Sequence, residues 1–182
     1  MVKTKIIGIS GCTNGGKTTL SKRLQKEFKN SAYLSQDDFY HPRDSKHFTY
    51  LPELDSFNFD VITVINMDKF YQELKKLIVL EKYDYIFLDG FLLYEDEKIY
   101  NILDNRYFLL LDKEECLRRR LSRNYKTVDT PNYFEKCVWV EFLKYKQKCQ
   151  IKYSEITYLN GHDLPDVIFN LVKSQLIAEE IN

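Results

Sequence analysis

A glycine-rich turn near the amino terminus constrains the fold of this chain more than any other feature. Residues 11–18 read Gly-Cys-Thr-Asn-Gly-Gly-Lys-Thr and fit the pattern G-x-x-x-x-G-K-[ST]. The apolar residues 5–9 before it predict a buried strand, and residues 19–28 after it predict a helix. In that setting, glycines let successive backbone N–H groups point at phosphate oxygens beside a helix N-terminus. The turn therefore predicts a phosphate-binding loop, the alternative being a chance glycine-rich turn between strand and helix.

The same loop supplies the predicted contacts to ATP. The Lys17 ammonium is placed to reach the outer phosphates during transfer, and the Thr18 hydroxyl is placed to hold Mg²⁺. The loop residues expected to surround the nucleotide are Gly11, Cys12, Thr13, Asn14, Gly15, Gly16, Lys17, Thr18 and Thr19.

The composition limits the class of protein. A length of 182 residues predicts one domain. The formal net charge is zero, so no overall basic field attracts nucleic acid or an anionic membrane. The four cysteines form no C-x-x-C pair, which excludes the usual zinc and disulfide frameworks. The first apolar run is too short for a signal peptide, and none approaches the ~18 residues of a membrane span.

These limits predict a soluble, cytoplasmic protein. We expect no nucleic-acid partner and no membrane association, and a monomer or a weak homo-oligomer.

Strand-like and helix-like segments alternate along the rest of the chain. The strand patterns are residues 32–35, 85–89, 107–111 and 156–159, and the helical patterns are residues 60–80, 113–123, 133–153 and 166–181. Continuous apolar strands that alternate with helices predict an α/β fold whose parallel sheet is covered on both faces. Ligands of such sheets bind at the carboxyl ends of the strands, so the polar groups there should share one site.

Carboxylates follow two of these strands. Asp89 ends an apolar strand, as in the Walker B pattern, where the acid orients Mg²⁺ or its water shell. Asp37 and Asp38 follow the strand at residues 32–35. An isolated pair of this kind is commonly a solvated turn. Beside the phosphate-binding loop, however, one carboxylate could contact Mg²⁺ or accept the proton of an attacking hydroxyl.

An arginine-rich helix leads into a turn-rich segment. Arg118, Arg119, Arg120 and Arg123 favour a mobile lid that closes over the γ-phosphate and neutralises charge during transfer. The alternatives are a solvated basic face or an RNA-binding patch, and the balanced charge of the chain argues against nucleic acid.

Phe59, Asp60 and Tyr125 are the candidate substrate contacts. An aromatic ring beside a carboxylate can stack on a base and hold ribose hydroxyls, whereas ordinary packing is the alternative for each ring taken alone. The three histidines show no metal-ligand spacing.

With these residues in place, the chain resembles the nicotinamide riboside kinase family, which belongs to the same P-loop group as uridine kinase. The resemblance runs over nearly the whole chain. Its most specific parts are Gln-Asp-Asp-Phe at residues 36–39, the lid with Arg118 to Arg123 and Tyr125, and Val138-Trp139. It implies a three-layer P-loop NTPase fold with a five-stranded parallel sheet, in one domain over residues 1–182 with a helical lid at about 118–133.

The resemblance also implies an activity. That activity is ATP-dependent phosphorylation of the 5′-hydroxyl of nicotinamide riboside, and of nicotinic acid riboside, to the mononucleotide in NAD biosynthesis. Asp37 is then the general base, and Thr18, Asp37 and Asp89 contact Mg²⁺. Phe59 and Tyr125 sandwich the pyridine ring, and Asp60 and Arg120 hold the ribose.

Further contacts follow from the same resemblance. Those implied on the ATP side are Arg119, Arg123, Asn124, Tyr125, His162 and Asp163. Those implied on the substrate side are Asp38, Phe39, Tyr40, Lys126 and Asp129.

The chain departs from the family pattern at several positions. Phe59 stands where the family often has Tyr, Asp89 stands where Glu is common, and Gly15 replaces a Ser. Residues 41–55 match poorly. A uridine or other nucleoside kinase of the same fold is the main alternative, and a P-loop switch NTPase is a more distant one. Guanine-specific switches carry Asn-Lys-x-Asp, which this chain lacks.

Overall fold

The computed structural model describes residues 4–123 and 129–181, with the side chains of residues 180 and 181 left aside. The elements, in chain order, are β1 (Lys5–Gly11), α1 (Lys17–Glu27), β2 (Ser31–Ser35), β3 (Tyr50–Leu51), β4 (Ser56–Phe57), α2 (Met67–Val79), β5 (Tyr85–Asp89), α3 (Glu97–Ile102), β6 (Asn105–Leu110), α4 (Lys113–Ser122), α5 (Trp139–Lys152), β7 (Thr157–Asn160) and α6 (Pro165–Ile181). None of the helices in these ranges combines the length and apolar character that crossing a bilayer requires.

Five parallel strands form the central sheet in the order β2-β5-β1-β6-β7. Successive side chains of a strand point to opposite faces, so β1 contributes to two cores. Ile7 and Ile9 pack with α1 and α6 on one face, whereas Ile6 packs with α2, α3 and α5 on the other. The predicted three-layer α/β architecture with a five-stranded parallel sheet is confirmed.

A buried hydrogen-bond network joins α5 to the centre of the sheet. The hydroxyl groups of Ser10 and Tyr145 lie 2.7 Å apart, and Ser10 also donates to the carbonyl of Gly90 at 2.8 Å. Tyr145 accepts the backbone N–H of Tyr94, whose own hydroxyl donates to the carbonyls of Gly8 and Tyr107. Because buried polar groups are costly when unpaired, this network fixes the helix on the sheet just below the phosphate-binding loop.

The structure differs from the predicted elements in two places. The helix predicted over residues 60–80 begins only at Met67, where the Asn66 side chain accepts the backbone N–H of Lys69 and caps the first turn. Residues 62–64 form a separate short 3₁₀ turn, so their apolar side chains do not belong to the helix that begins at Met67. The hairpin β3–β4 and the short α3 were not predicted, because two-residue strands and a six-residue helix leave too little periodicity to recognise.

Candidate active site

The loop between β1 and α1 has the backbone geometry of a phosphate cradle. Gly11 has φ 126°, and a Cβ at this position would lie 2.2 Å from the carbonyl oxygen of Leu109. Gly16 has φ 96° and precedes the first turn of α1. Positive φ values of this kind require glycine, which explains why the motif has glycines at both ends of the loop. The Lys17 ammonium folds back over the loop and donates to the carbonyl of Cys12 at 2.7 Å.

A central cavity of about 530 Å³ opens directly above this loop. It collects the loop, the end of β2 and the arginines of α4, so one site does join the carboxyl ends of the strands as predicted. Its lining residues are Thr13, Asn14, Gly16, Lys17, Thr18, Thr19, Asp37, Tyr40, Phe59, Asp60, Phe91, Arg119, Arg120 and Arg123.

Asp37 stands at the boundary between the central cavity and a neighbouring one. It lies in a 3₁₀ turn directly after β2, and the preceding Gln36 is fully buried and accepts the backbone N–H of Leu92 at 3.0 Å. Water reaches the carboxylate through the cleft, but the protein desolvates its other sides. This burial raises the pKa of Asp37, against the opposing effect of Lys17. A carboxylate made more basic in this way is suited to accepting a proton.

The buried carboxylate of Asp89 has an oxygen that could bind Mg²⁺. The end of β5 buries this carboxylate almost completely; Oδ1 accepts the Tyr33 hydroxyl at 3.1 Å, while buried Oδ2 accepts no hydrogen bond from the residues that the structure describes. Ser35 pairs with Asp89 in the sheet and Asp37 follows Ser35 by two residues, so the two acids lie at the same edge of the sheet. Asp89 also raises the pKa of Asp37 electrostatically. Two acids and the Thr18 hydroxyl fit Mg²⁺, which proteins usually hold through one or two carboxylates together with substrate phosphates.

No larger cluster competes with this arrangement. Over the described ranges, no three histidine, cysteine, aspartate or glutamate side chains gather as a metal-binding group.

The outer cavity, of about 610 Å³, continues from the central one. Asp37, Tyr40, Phe59 and Arg120 line both cavities, so the two are parts of one cleft. The residues that line only the outer cavity are His41, Arg43, Phe48, Tyr50, Asp55, Ser56, Phe57, Asp129, Thr130 and Tyr133.

Tyr133, which lies shortly before α5, holds Phe59 and Asp60 in place. The Tyr133 hydroxyl accepts the backbone N–H of Phe59 at 2.9 Å and donates to Oδ2 of Asp60 at 3.1 Å. Phe48 packs edge-on against the Phe59 ring at 5.4 Å between centroids. Burial raises the pKa of Asp60 to about 6, although Arg120 and the Tyr133 hydrogen bond lower it. This pair thus presents a fixed aromatic ring and a desolvated carboxyl group to the cleft.

The arginines of α4 reach the loop from above. Arg120 forms two hydrogen bonds with Asp129, at 2.6 and 2.9 Å, and a third with the Thr13 hydroxyl at 3.2 Å. Arg119 is oriented by Glu115 and donates to the carbonyl of Gly161 at 3.0 Å.

Arg123, directly after α4, also contacts the loop. Arg123 donates to the side-chain oxygen of Asn14 at 3.3 Å. Arg119, Arg120 and Arg123 therefore line the same central cavity, as a lid over phosphates requires.

A rear cavity of about 290 Å³ extends from the loop toward β7 and α6. It shares Asn14, Gly16, Thr19 and Arg119 with the central cavity and adds the apolar side chains of Ile168 and Phe169. Gly15, Gly161 and Asp163 also lie on its wall. His162, which the resemblance placed near the nucleotide, faces Asp112 at 3.0 Å instead.

Several predicted site residues lie elsewhere. Phe39 is buried against Phe70 with the ring centroids 5.2 Å apart, so it supports the Asp37 turn from below rather than lining a cavity. Asp38 is exposed and borders neither the central nor the outer cavity. Cys12 is buried beneath the loop. The predicted contacts at Asn124, Tyr125 and Lys126 fall outside the described residues.

Four residues of the site received no role from the sequence. Gln36 and Tyr133 orient the two key carboxylates, and Phe91 and Arg43 line the cleft. Gln36 and Phe91 adjoin the predicted strand-end acids, which is a signal that could have found them. Arg43 lies in the stretch that matches the family poorly, where the sequence offered no signal.

Comparison with known proteins agrees with this geometry. A sequence family described as an AAA domain matches residues 7–139. Nicotinamide riboside kinase 1 from Homo sapiens is 38% identical over 194 aligned positions, which include 98% of this chain and 94% of the human protein. The chain belongs to the nicotinamide riboside kinase family.

Two further comparisons set the limits of this assignment. A uridine kinase from Anoxybacillus flavithermus is 28% identical over 147 positions, covering 68% of this chain and 69% of that protein. The solved structure of a thymidylate kinase from Candida albicans superposes with a TM-score of 0.61 at 16% identity, covering 98% of this chain and 93% of that one. At that identity the likeness concerns the fold alone, which is the fold of P-loop kinases.

Proposed function

We propose that the protein transfers the γ-phosphoryl group of ATP to the 5′-hydroxyl of nicotinamide riboside, giving the mononucleotide used in NAD biosynthesis. The observation that carries this proposal is the row of three connected cavities. The loop and the arginines surround the central one, and Asp37 lines both the central and the outer one. A phosphoryl donor in the centre and an alcohol acceptor in the outer cavity would therefore meet at Asp37.

The residues of the central cavity account for the phosphoryl transfer. Backbone N–H groups of the loop and the Lys17 ammonium hold the phosphates, and Arg119 and Arg123 neutralise the charge that develops during transfer. Thr18, Asp37 and Asp89 would hold Mg²⁺, which would supply positive charge to the phosphates. Asp37 accepts the proton of the attacking hydroxyl because its carboxylate lines both the cavity of the donor and the cavity of the acceptor.

The outer cavity accounts for the choice of acceptor. The Phe59 ring would stack on the pyridine, together with Tyr125 from the lid. Asp60 and Arg120, which are both half-buried, would hold the ribose hydroxyls and are not fully hydrated there. Because the nicotinamide ring of the riboside is a cation, aromatic faces attract it by about 0.5–2 kcal/mol. A neutral uracil would gain less from the same rings.

We also propose that residues 1–182 act as one kinase domain with a lid at about residues 118–133. The contacts of Arg120 with Asp129 and Thr13, and of Arg123 with Asn14, support this because they join the lid to the loop. The adenine base of ATP is assigned to the rear cavity, whose apolar wall of Ile168 and Phe169 suits a flat ring.

A panel of ribosides tests this function. Purified protein, ATP and Mg²⁺ are incubated with nicotinamide riboside, nicotinic acid riboside, uridine or cytidine, and the monophosphate products are identified by mass. We expect the pyridine ribosides to be phosphorylated about 2- to 30-fold more efficiently than uridine, which corresponds to one cation–aromatic contact of about 0.5–2 kcal/mol. The Lys17→Ala variant controls for contaminating kinases. Efficient use of uridine with no use of the pyridine ribosides would overturn the proposed substrate and leave the fold intact.

A further inference from the structure

Arg43 lines the outer cavity beside the ring proposed to bind the heterocycle. Its guanidinium lies over the ring of Phe59, 5.4 Å from the ring centroid. Phe59 is the ring on which we propose that the pyridine stacks. A positive charge therefore stands beside the proposed position of the heterocycle.

The charges around Arg43 leave its guanidinium available to a ligand. Arg43 is exposed, and it forms no ion pair with any carboxylate of residues 4–123 or 129–179. Asp55 also lines the outer cavity, and its carboxylate accepts a hydrogen bond from the Tyr50 hydroxyl. Asp129 is engaged by both nitrogen donors of Arg120.

Two histidines of the same segment stack on each other. The His41 and His47 rings lie 3.7 Å apart between centroids. Desolvation and the nearby His47 lower the pKa of His41, which opposes a positive charge on that ring. The Arg43 guanidinium is the charged group beside Phe59 that a substituent on the bound heterocycle would meet.

We propose that Arg43 is a specificity-determining residue that selects a riboside whose pyridine carries a carboxylate over one that carries a carboxamide. This inference rests on the proposed function. A carboxylate accepts two N–H bonds from a guanidinium with both partners charged, whereas a carboxamide offers a single, uncharged acceptor oxygen. The ring nitrogen is positive in both ribosides, so the amide form brings a net positive charge toward Arg43. The acid form brings a compensating negative charge, and the electrostatic difference has the same sign as the hydrogen-bonding difference.

The chain offers a matched control for this arginine. Lys46 is an exposed cation three residues away that does not line the outer cavity. Lys46→Gln removes the same charge from the same segment, so it separates a general field effect from direct contact. Arg43→Gln removes the guanidinium and keeps a polar side chain, and Arg43→Lys keeps the charge without the two-pronged geometry.

The experiment measures kcat/KM for nicotinic acid riboside and nicotinamide riboside with all four proteins. We expect Arg43→Gln to lower the acid-to-amide ratio of kcat/KM about five- to tenfold, mainly through KM for the acid, as for one exposed charge-assisted contact. Arg43→Lys should lie between wild type and Arg43→Gln, and Lys46→Gln should leave the ratio within about twofold. Thermal unfolding of each variant confirms that it is folded.

The outcomes separate this inference from the proposed function. If the wild-type protein phosphorylates both ribosides and Arg43→Gln changes them equally, the role of Arg43 is overturned and the function stands. The same holds if Lys46→Gln moves the ratio as much as Arg43→Gln does. If the wild-type protein phosphorylates neither riboside, the proposed function fails and this inference fails with it.

Discussion

Replacing Asp60 by Asn should stabilise the protein while it weakens substrate binding. Burial raises the pKa of Asp60 from its ordinary value of 3.8 to about 6. The folded state thus holds this proton to a higher pH than the unfolded chain does. The resulting contribution to stability is fully present below about pH 4 and is lost as the pH rises through about 6. An amide has no charge to desolvate, and its oxygen can still accept the Tyr133 hydroxyl.

The size of the effect follows from the shift in pKa. The shift from 3.8 to about 6 is roughly two units, and each unit is worth about 1.36 kcal/mol. The free energy of unfolding of Asp60→Asn should therefore exceed that of the wild type by about 3 kcal/mol near pH 8. The difference should shrink to about 1.6 kcal/mol near pH 5, where the wild-type carboxyl group is mostly protonated in the folded state.

Urea unfolding of both proteins at several pH values between about 5 and 8 measures this difference. Asp44→Asn, which removes an exposed carboxylate from the segment before β3, controls for the loss of a negative charge. In parallel, KM for nicotinamide riboside should rise about tenfold or more in Asp60→Asn, as for a lost charge-assisted hydrogen bond to a ribose hydroxyl. A stability difference that is the same at pH 5 and pH 8 would refute the argument from burial.

Three further substitutions test the loop and the two strand-end acids. Asp37→Asn should lower kcat by roughly 10²–10⁴ with riboside binding largely kept, and a kcat within a few-fold of wild type would exclude a general base here. Asp89→Asn should raise the Mg²⁺ concentration needed for half-maximal rate, which a Mg²⁺ titration measures, and an unchanged requirement would remove Asp89 from the metal site. Gly11→Ala should destabilise the fold by about 3 kcal/mol or more in thermal unfolding, since its Cβ meets Leu109 at φ 126°. Gly15→Ala, without positive φ, should cost clearly less, and equal losses would contradict the strain argument.

The sequence predicts the centre of this site well because the requirements there are local. A phosphate-binding loop needs a strand, glycines that accept positive φ and a helix, and all three are consecutive in residues 5–28. Asp89 ends β5, and Asp37 follows the end of the neighbouring parallel strand β2. The two strand ends are level because Ser35 pairs with Asp89. Parallel strands bring such ends together in any sheet of this order, so their proximity follows from strand patterns alone.

The outer cavity could not be predicted in the same way because its walls depend on tertiary packing. Phe39 and Tyr40 are adjacent aromatic residues, yet the first packs into the core against Phe70 and the second lines the cleft. A 3₁₀ turn decides which of them faces inward, and it leaves no periodic pattern. The position of Arg43 over Phe59 depends on the tertiary packing of the irregular segment that contains both residues, which no short-range rule specifies.

The distribution of charge along the cleft suggests a role for carboxyl groups whose burial costs free energy of folding. Lys17, Arg119 and Arg123 line the central cavity on the side of the loop and the lid. Asp37 lines both the central and the outer cavity, and Asp60 follows Phe59, which also lines both. With donor and acceptor placed as proposed, phosphates would meet cations and a sugar hydroxyl would meet carboxylates, with the change of sign at Asp37. Burial raises the pKa of both acids, so each ionised group costs free energy in the folded protein. Because an amide would satisfy the same hydrogen bond from Tyr133, packing alone does not require a charge at Asp60. A ligand that binds more tightly to a negatively charged side chain would explain the charge at Asp60. A ribose beside a cationic ring is such a ligand.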